Sequence, residues 1–466
     1  MNTVANIALS PREQRIAAAK NGNPASPRWL ISYYVVQIVC QLALLSTALA
    51  PGRVFFRTSA FGMSLVALVF TYRASRIPRR HPATVLALVA LLILGAEMLN
   101  PGTADPLAAL ATVGMYVAVL SPLVWVPRLA LDLSWFRRVV VIIWAFQSAS
   151  ALVGALQVYF PGVFEPAVAS ILSDSYVSAM QITLASGERI LRPSGLSDTP
   201  GGAAVAGTYA IILALGLWAE RPARWMQILL ALSVATGMFV LYVCQVRSLV
   251  VMVGISVLAT TLVHALRGRI RSVFGISAVA ITIAIAAFVA ASSVGGDDVT
   301  RRMSTLVNSS PTEVYYTNRG IFLEHTLSEL LPLYPFGAGL GRWGMAASYF
   351  GGQASNSIYV EIQWTGWLLD GGIPLIFTYV LMLVLTVLSA WSMARRHADR
   401  TRDLSSWAAL LVGYDVGTIA LTFNFPVFMA SFGMDFWLLN AALFTVVVRD
   451  LAWTSPEVAT GPDRAA

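Results

Sequence analysis

The feature that most constrains this chain is a series of twelve apolar runs, most of 18–22 residues, separated by short polar stretches. A run of that length is what an α-helix needs to cross ~30 Å of hydrocarbon at a rise of ~1.5 Å per residue. In lipid each backbone N–H and C=O must find its partner within the protein. Runs that are apolar throughout, rather than at period 2, therefore read as helices and not strands. Composition agrees: 57% of the 466 residues are apolar and 12% are charged, about half the charge a water-soluble domain needs to cover its surface.

The expected spans are 29–50, 55–72, 82–99, 106–126, 139–160, 201–218, 225–245, 249–266, 273–294, 371–391, 405–423 and 427–448. The fold class is thus an all-α polytopic membrane protein of about twelve transmembrane helices. Residues 1–28 and 449–466 form tails, and 29–448 form one transmembrane domain. Ala48-Leu49-Ala50 imitates a signal-peptidase site, but the polar residues before the first run and its length favour a retained anchor. With the N-terminus in the cytoplasm, 22 of the 31 Lys and Arg residues fall on cytoplasmic segments and 9 outside. This positive-inside bias supports cytoplasmic termini and an even number of spans. It leaves two long segments outside, 161–200 and 295–370, the second expected to carry short helices around 320–331. Loops of that length are more often functional than connective.

The bias makes the outside arginines informative. Arg192 lies in RILRPSGLSDTPGG, Arg247 in the tight turn CQVRSLV, Arg319 in YYTNRGIFLEH and Arg342 in FGAGLGRWG. Guanidinium is permanently charged and grips phosphate oxygens with a planar fork, so arginines converging at a membrane face suit a lipid diphosphate. Arg53, Arg57, Arg301 and Arg302 read instead as side chains snorkelling to headgroups. Phe336-Gly337-Ala338-Gly339-Leu340-Gly341 lacks the flanking βαβ unit of a dinucleotide site, and reads as a flexible turn that lets backbone approach a ligand or the membrane. Asp415 and Asp435, inside spans, are expected to face the interior and accept from neighbouring helices. Cys40 and Cys244 sit in apolar runs and read as small hydrophobes, and the four histidines are scattered. No cofactor or metal is expected. The positive charge is spread over short loops, which argues against a nucleic-acid partner.

Three motifs occur in order: Arg192-Pro193-Ser194-Gly195 before a span, Gln245-Val246-Arg247-Ser248 between two spans, and Arg319 followed by a helical stretch and Pro335-Phe336-Gly337-Ala338-Gly339. Over residues 185–391 this pattern resembles the O-antigen polymerase and O-antigen ligase superfamily, bacterial inner-membrane enzymes acting on undecaprenyl-diphosphate-linked glycans. Near the end of the large loop the family's ligases and many polymerases carry His-Asn. Here Ser355-Asn356 fills the place, with Asn356 and Tyr359 retained, which favours an exopolysaccharide-type polymerase over a ligase.

The resemblance implies a metal-independent glycosyltransferase working at the periplasmic face. Its donor and acceptor would both be undecaprenyl-diphosphate-linked oligosaccharides, and its pathway partners a chain-length regulator and a flippase. Arg247 and Arg319 would hold the leaving diphosphate, with Arg192, Gly195, Arg342, Asn356 and Tyr359 lining the substrate site. Glu324 is the first-ranked base for the acceptor hydroxyl, ahead of Glu329, Asp198 and His325. A ligase using a lipid A–core acceptor, and a non-enzymatic polysaccharide flippase, are the alternative readings.

Overall fold

The computed structural model describes residues 25–72, 80–103, 105–164, 180–268, 270–308, 310–351, 358–396 and 402–453. Ser355, Asn356 and most of both tails lie outside the described residues. The helices used below are α1 (Arg28–Ala43), α2 (Arg53–Thr71), α3 (Thr84–Glu97), α4 (Pro106–Leu120), α5 (Leu133–Tyr159), α6 (Gly202–Ala219), α7 (Arg224–Val243), α8 (Arg247–Leu266), α9 (Ile270–Asn308), α10 (Gly344–Phe350), α11 (Gln363–Arg396), α12 (Arg402–Leu421) and α13 (Ser431–Trp453). Their starts follow local chemistry. Asp105 accepts from the amides of Leu107 (2.7 Å) and Ala108 (3.2 Å) at the head of α4, where Pro106 has no N–H to satisfy. Asp132 caps α5 through the Trp135 amide at 2.9 Å.

Among the described residues ten helices are long and apolar enough to cross a membrane. The protein is an all-α polytopic membrane protein in that sense. The two runs that fall short are instructive. The run expected as 29–50 is split: α1 has 16 residues, the chain is extended at Ser46 (φ −87°, ψ 125°), and a 3-10 turn, Thr47–Gly52, stacks on α2 instead. Pro51, which cannot donate a helical bond, falls within that turn. Helix α3 has 14 residues, about 21 Å of rise.

The helices approach closely through small residues, as expected where lipid supplies no hydrophobic drive between them. A Cβ at Gly207 of α6 would lie 2.7 Å from the Gly237 carbonyl of α7, and one at Gly413 of α12 would lie 2.3 Å from the Ser256 carbonyl of α8. Buried carboxylates tie further helices together. Asp435 accepts from Tyr34 Oη (2.9 Å) and Tyr209 Oη (3.1 Å), and Asp415 from Asn440 Nδ2 (2.7 Å). Asp370, which the sequence reading passed over, accepts from Tyr116 Oη (2.7 Å) and Trp343 Nε1 (2.9 Å).

Both segments expected as long loops carry structure. In the first, strands β1 (Gln181–Thr183) and β2 (Arg189–Leu191) pair antiparallel. Their turn docks on α9: the Ala185 amide donates to Val294 O at 2.8 Å, beside the kink at Gly296 (φ 58°). The second does not open as a loop at residue 295, because α9 continues through that kink to Asn308. Helical turns run on from Pro311 to Leu333, and α11 begins at Gln363, eight residues ahead of the expected 371. The segment is pinned to α11 at a second kink, Gly372 (φ 62°), where the Ile373 amide donates to Pro335 O at 2.8 Å and the Ala338 amide to Leu369 O at 2.7 Å.

Candidate functional site: an arginine cluster at one end of the bundle

The turn after β2 is held above all by Gln157 of α5, with Ser150 Oγ accepting from the Leu196 amide at 3.0 Å. Gln157 Oε1 accepts from the amides of Ser194 and Gly195, both at 2.9 Å, and Nε2 donates to Gly195 O at 3.1 Å. Gly195 has φ 63°, and a Cβ there would meet Ser150 O at 2.5 Å. Only glycine fits such a position, so the spacing Arg192-x-x-Gly195 has a mechanical origin: the glycine seats the turn that carries the arginine.

Arg192 is half-buried beside Cys244, and its Nε has no hydrogen-bond partner among the described residues. Burial, followed by the charges of Arg302 and Arg319, pulls its pKa below the ordinary guanidinium value. Arg247 opens α8 after a three-residue turn in which buried Gln245 adopts a left-handed conformation (φ 57°). Its Nη1 donates to Thr305 Oγ1 at 2.9 Å, and the Arg302 charge also acts on it. Arg302, half-buried on the distal part of α9, likewise has an Nε with no partner among the described residues. Arg319 stands in a left-handed conformation (φ 79°). Its Nη2 pairs with Glu361 Oε2 at 2.7 Å while Nη1 donates to Asn424 O. Glu361 also accepts from Tyr359 Oη, a side chain that is itself 74% exposed.

Four guanidinium groups from four separate parts of the chain therefore share one region, and Glu361 is paired with one of them. A cluster of guanidinium groups, with Nε donors that lack a partner among the described residues, has the chemistry to hold an anion carrying several oxygens.

Several expectations are corrected here. Arg302 does not snorkel; it belongs to the cluster, whereas Arg301 beside it is 81% exposed and pairs with Asp298 at 2.9 Å. Arg53 and Arg57 do not snorkel either. Each contacts Asp198 Oδ2 at 2.7 Å, and Arg57 Nη1 donates to Tyr349 Oη at 3.1 Å. Asp198 is 8% exposed between those two cations, which ties it up as a structural anion. Glu324 is exposed on the helical stretch 321–325, and Glu329 pairs with His325 at 3.2 Å on the same exposed side. Arg342, just after the glycine-rich loop, reaches the turn after α3, where its Nε donates to Gly102 O at 2.8 Å. The loop is not a flexible turn for a ligand: Gly339 (φ 88°) lies so close to the turn after α3 that a Cβ would sit 2.3 Å from Thr103 N.

Sequence reasoning missed Arg302 and Glu361. The first was masked by its exposed twin; the second is an ordinary acid outside the apolar runs, with no local signal at all. Among the described residues no group of three or more His, Cys, Asp or Glu side chains is placed to hold a metal ion. In comparisons with known proteins, no family model matches the chain and no curated protein sequence is significantly similar to it.

Proposed function

We propose that this chain is a bacterial inner-membrane glycosyltransferase that polymerises undecaprenyl-diphosphate-linked oligosaccharide repeats, with its arginine cluster at the periplasmic face. The observation that carries the reading is the convergence of Arg192, Arg247, Arg302 and Arg319, two of them with buried Nε donors that have no partner among the described residues. The order of motifs shared with O-antigen polymerases and ligases, and the charge bias of the loops, support the same assignment. The twelve-crossing topology counts α1 and α3 as short spans and puts both termini in the cytoplasm.

In this reading the acceptor hydroxyl oxygen attacks the anomeric carbon of the donor glycan. A new glycosidic bond forms, the bond from that carbon to the diphosphate oxygen breaks, and the electron pair leaves on the diphosphate. The hydroxyl proton passes to a base. Negative charge grows on the diphosphate as the bond lengthens, and fixed guanidinium groups aimed at it lower the barrier without having to reorganise. Donor and acceptor are both lipid diphosphates, so a second anion is served by the same region.

Lysine at Arg247 or Arg319 keeps the charge and loses the two-pronged geometry, and is expected to lower the rate by ~10²–10³. Cells carrying either variant should accumulate single lipid-linked repeats on the outer leaflet, with long chains missing. Accumulation on the cytoplasmic leaflet would contradict the proposal, because translocation rather than polymerisation would then be blocked.

A further inference from the structure

The fork that a diphosphate needs at Arg319 is already taken. Glu361, on the segment 358–362 leading into α11, holds Arg319 Nη2 at 2.7 Å through Oε2 and accepts from Tyr359 through Oε1, and its side chain is 15% exposed. It therefore keeps some exposure, unlike Asp370, Asp415 and Asp435, which are buried. Of the other acids considered for proton transfer, two are engaged and the third is exposed. Asp198 lies between Arg53 and Arg57, Glu329 pairs with His325, and Glu324 is on an exposed face.

We infer that Glu361 is the general base of the transfer and that the donor diphosphate frees it by taking over Arg319. This rests on the function proposed above. A diphosphate carries at least two negative charges and can be shared with Arg192, on which the charges of Arg302 and Arg319 both act, and with Arg302, which also acts on Arg247. It therefore outbids a single carboxylate for Arg319. Once released, Glu361 stays beside the anion, tethered by Tyr359. It accepts the proton of the acceptor hydroxyl as that oxygen bonds to the anomeric carbon and the diphosphate departs with its electron pair. Before the donor arrives both carboxylate oxygens are engaged by donors. Acceptor activation is thus coupled to donor binding, which protects the lipid-linked acceptor from unproductive chemistry.

The test uses purified full-length protein with substitutions Glu361→Gln, Glu361→Asp and Arg319→Lys. Affinity is measured with farnesyl diphosphate, and kcat and KM with the lipid-linked repeats that accumulate in cells deleted for this chain. Glu361→Gln removes the competitor for Arg319 and the proton acceptor together. It should bind farnesyl diphosphate at least as tightly as wild type, with KM little changed, while kcat falls about 10²–10⁴-fold. Glu361→Asp retains a carboxylate and should keep most of the turnover that Glu361→Gln loses. Arg319→Lys should instead weaken farnesyl diphosphate affinity along with the rate loss expected above. Wild-type kcat in Glu361→Gln would overturn the base assignment alone. So would a parallel loss of affinity and kcat, the mark of a merely structural ion pair. A wild-type protein that binds farnesyl diphosphate but elongates nothing would overturn the functional reading and the base assignment with it.

Discussion

Arg301 and Arg302 are neighbours in sequence and identical in type, yet one points to solvent and the other into the arginine cluster. Helix phase decides it. Arg302 shares a face of α9 with Thr305, which receives Arg247, while Arg301 shares one with Asp298. Nothing in the sequence fixes which face of a helix meets the rest of the protein when the helix runs on beyond its apolar stretch. The three motif arginines were legible for the opposite reason: on segments that the charge bias assigns to the outside, positive charge runs against the expected topology, so each stood out. Replacing Arg302 by alanine removes charge-assisted donors worth ~1.5–3 kcal/mol. It should weaken farnesyl diphosphate binding about 10–100-fold, against no change in Arg301→Ala; equal effects in the two variants would place the site elsewhere. Asp198 makes the complementary case. Asp198→Asn leaves Arg53 and Arg57 without their shared counter-charge, and should destabilise the protein by ~1–3 kcal/mol. The change should be seen as a lower Tm in detergent, with turnover per folded molecule retained.

At the scale of elements, the glycine-rich loop was read correctly as a turn and wrongly as a flexible one. Its partner is the turn after α3, more than 230 residues earlier in the chain, and no local pattern announces a contact of that separation. Gly337 lies against Glu97, Gly339 against Gly102 and Thr103, and Gly341 against Ala108, so the loop is a clamp between the outer segment and the bundle. Gly339→Ala combines positive φ with a Cβ 2.3 Å from backbone nitrogen. It should cost ~3 kcal/mol or more and raise protease sensitivity around residues 334–343. Gly187, with φ 80° but nothing within 4 Å, isolates the backbone contribution. Gly187→Ala should cost only ~1 kcal/mol, the price of left-handed backbone in an L-residue. The early end of α1 belongs to the same scale. An apolar run records where lipid is tolerated, and the extended backbone at Ser46 breaks the helix inside it.

For the whole molecule, most of the helical architecture was legible, because a membrane helix satisfies its own backbone and needs only length and hydrophobicity to declare itself. The site was legible only in part, since its members come from four distant segments that packing alone brings together. The topology that the charge bias supports is open to direct labelling. In a background with Cys40 and Cys244 replaced, a cysteine at exposed Thr312 should react with an impermeant thiol reagent added outside intact spheroplasts. Reaction only after the cytoplasmic side is opened would reverse the orientation and remove the site from the periplasm. The central claim, that guanidinium groups on a lipid diphosphate drive glycan polymerisation, is tested most directly by incubating purified wild-type protein with lipid-linked repeat units in excess chelator, with and without lipid A–core. The expected result is a ladder of lipid-linked glycans spaced by one repeat, formed without lipid A–core and undiminished by the chelator. Repeat units that stay unextended, or that are consumed only when lipid A–core is supplied, would contradict it.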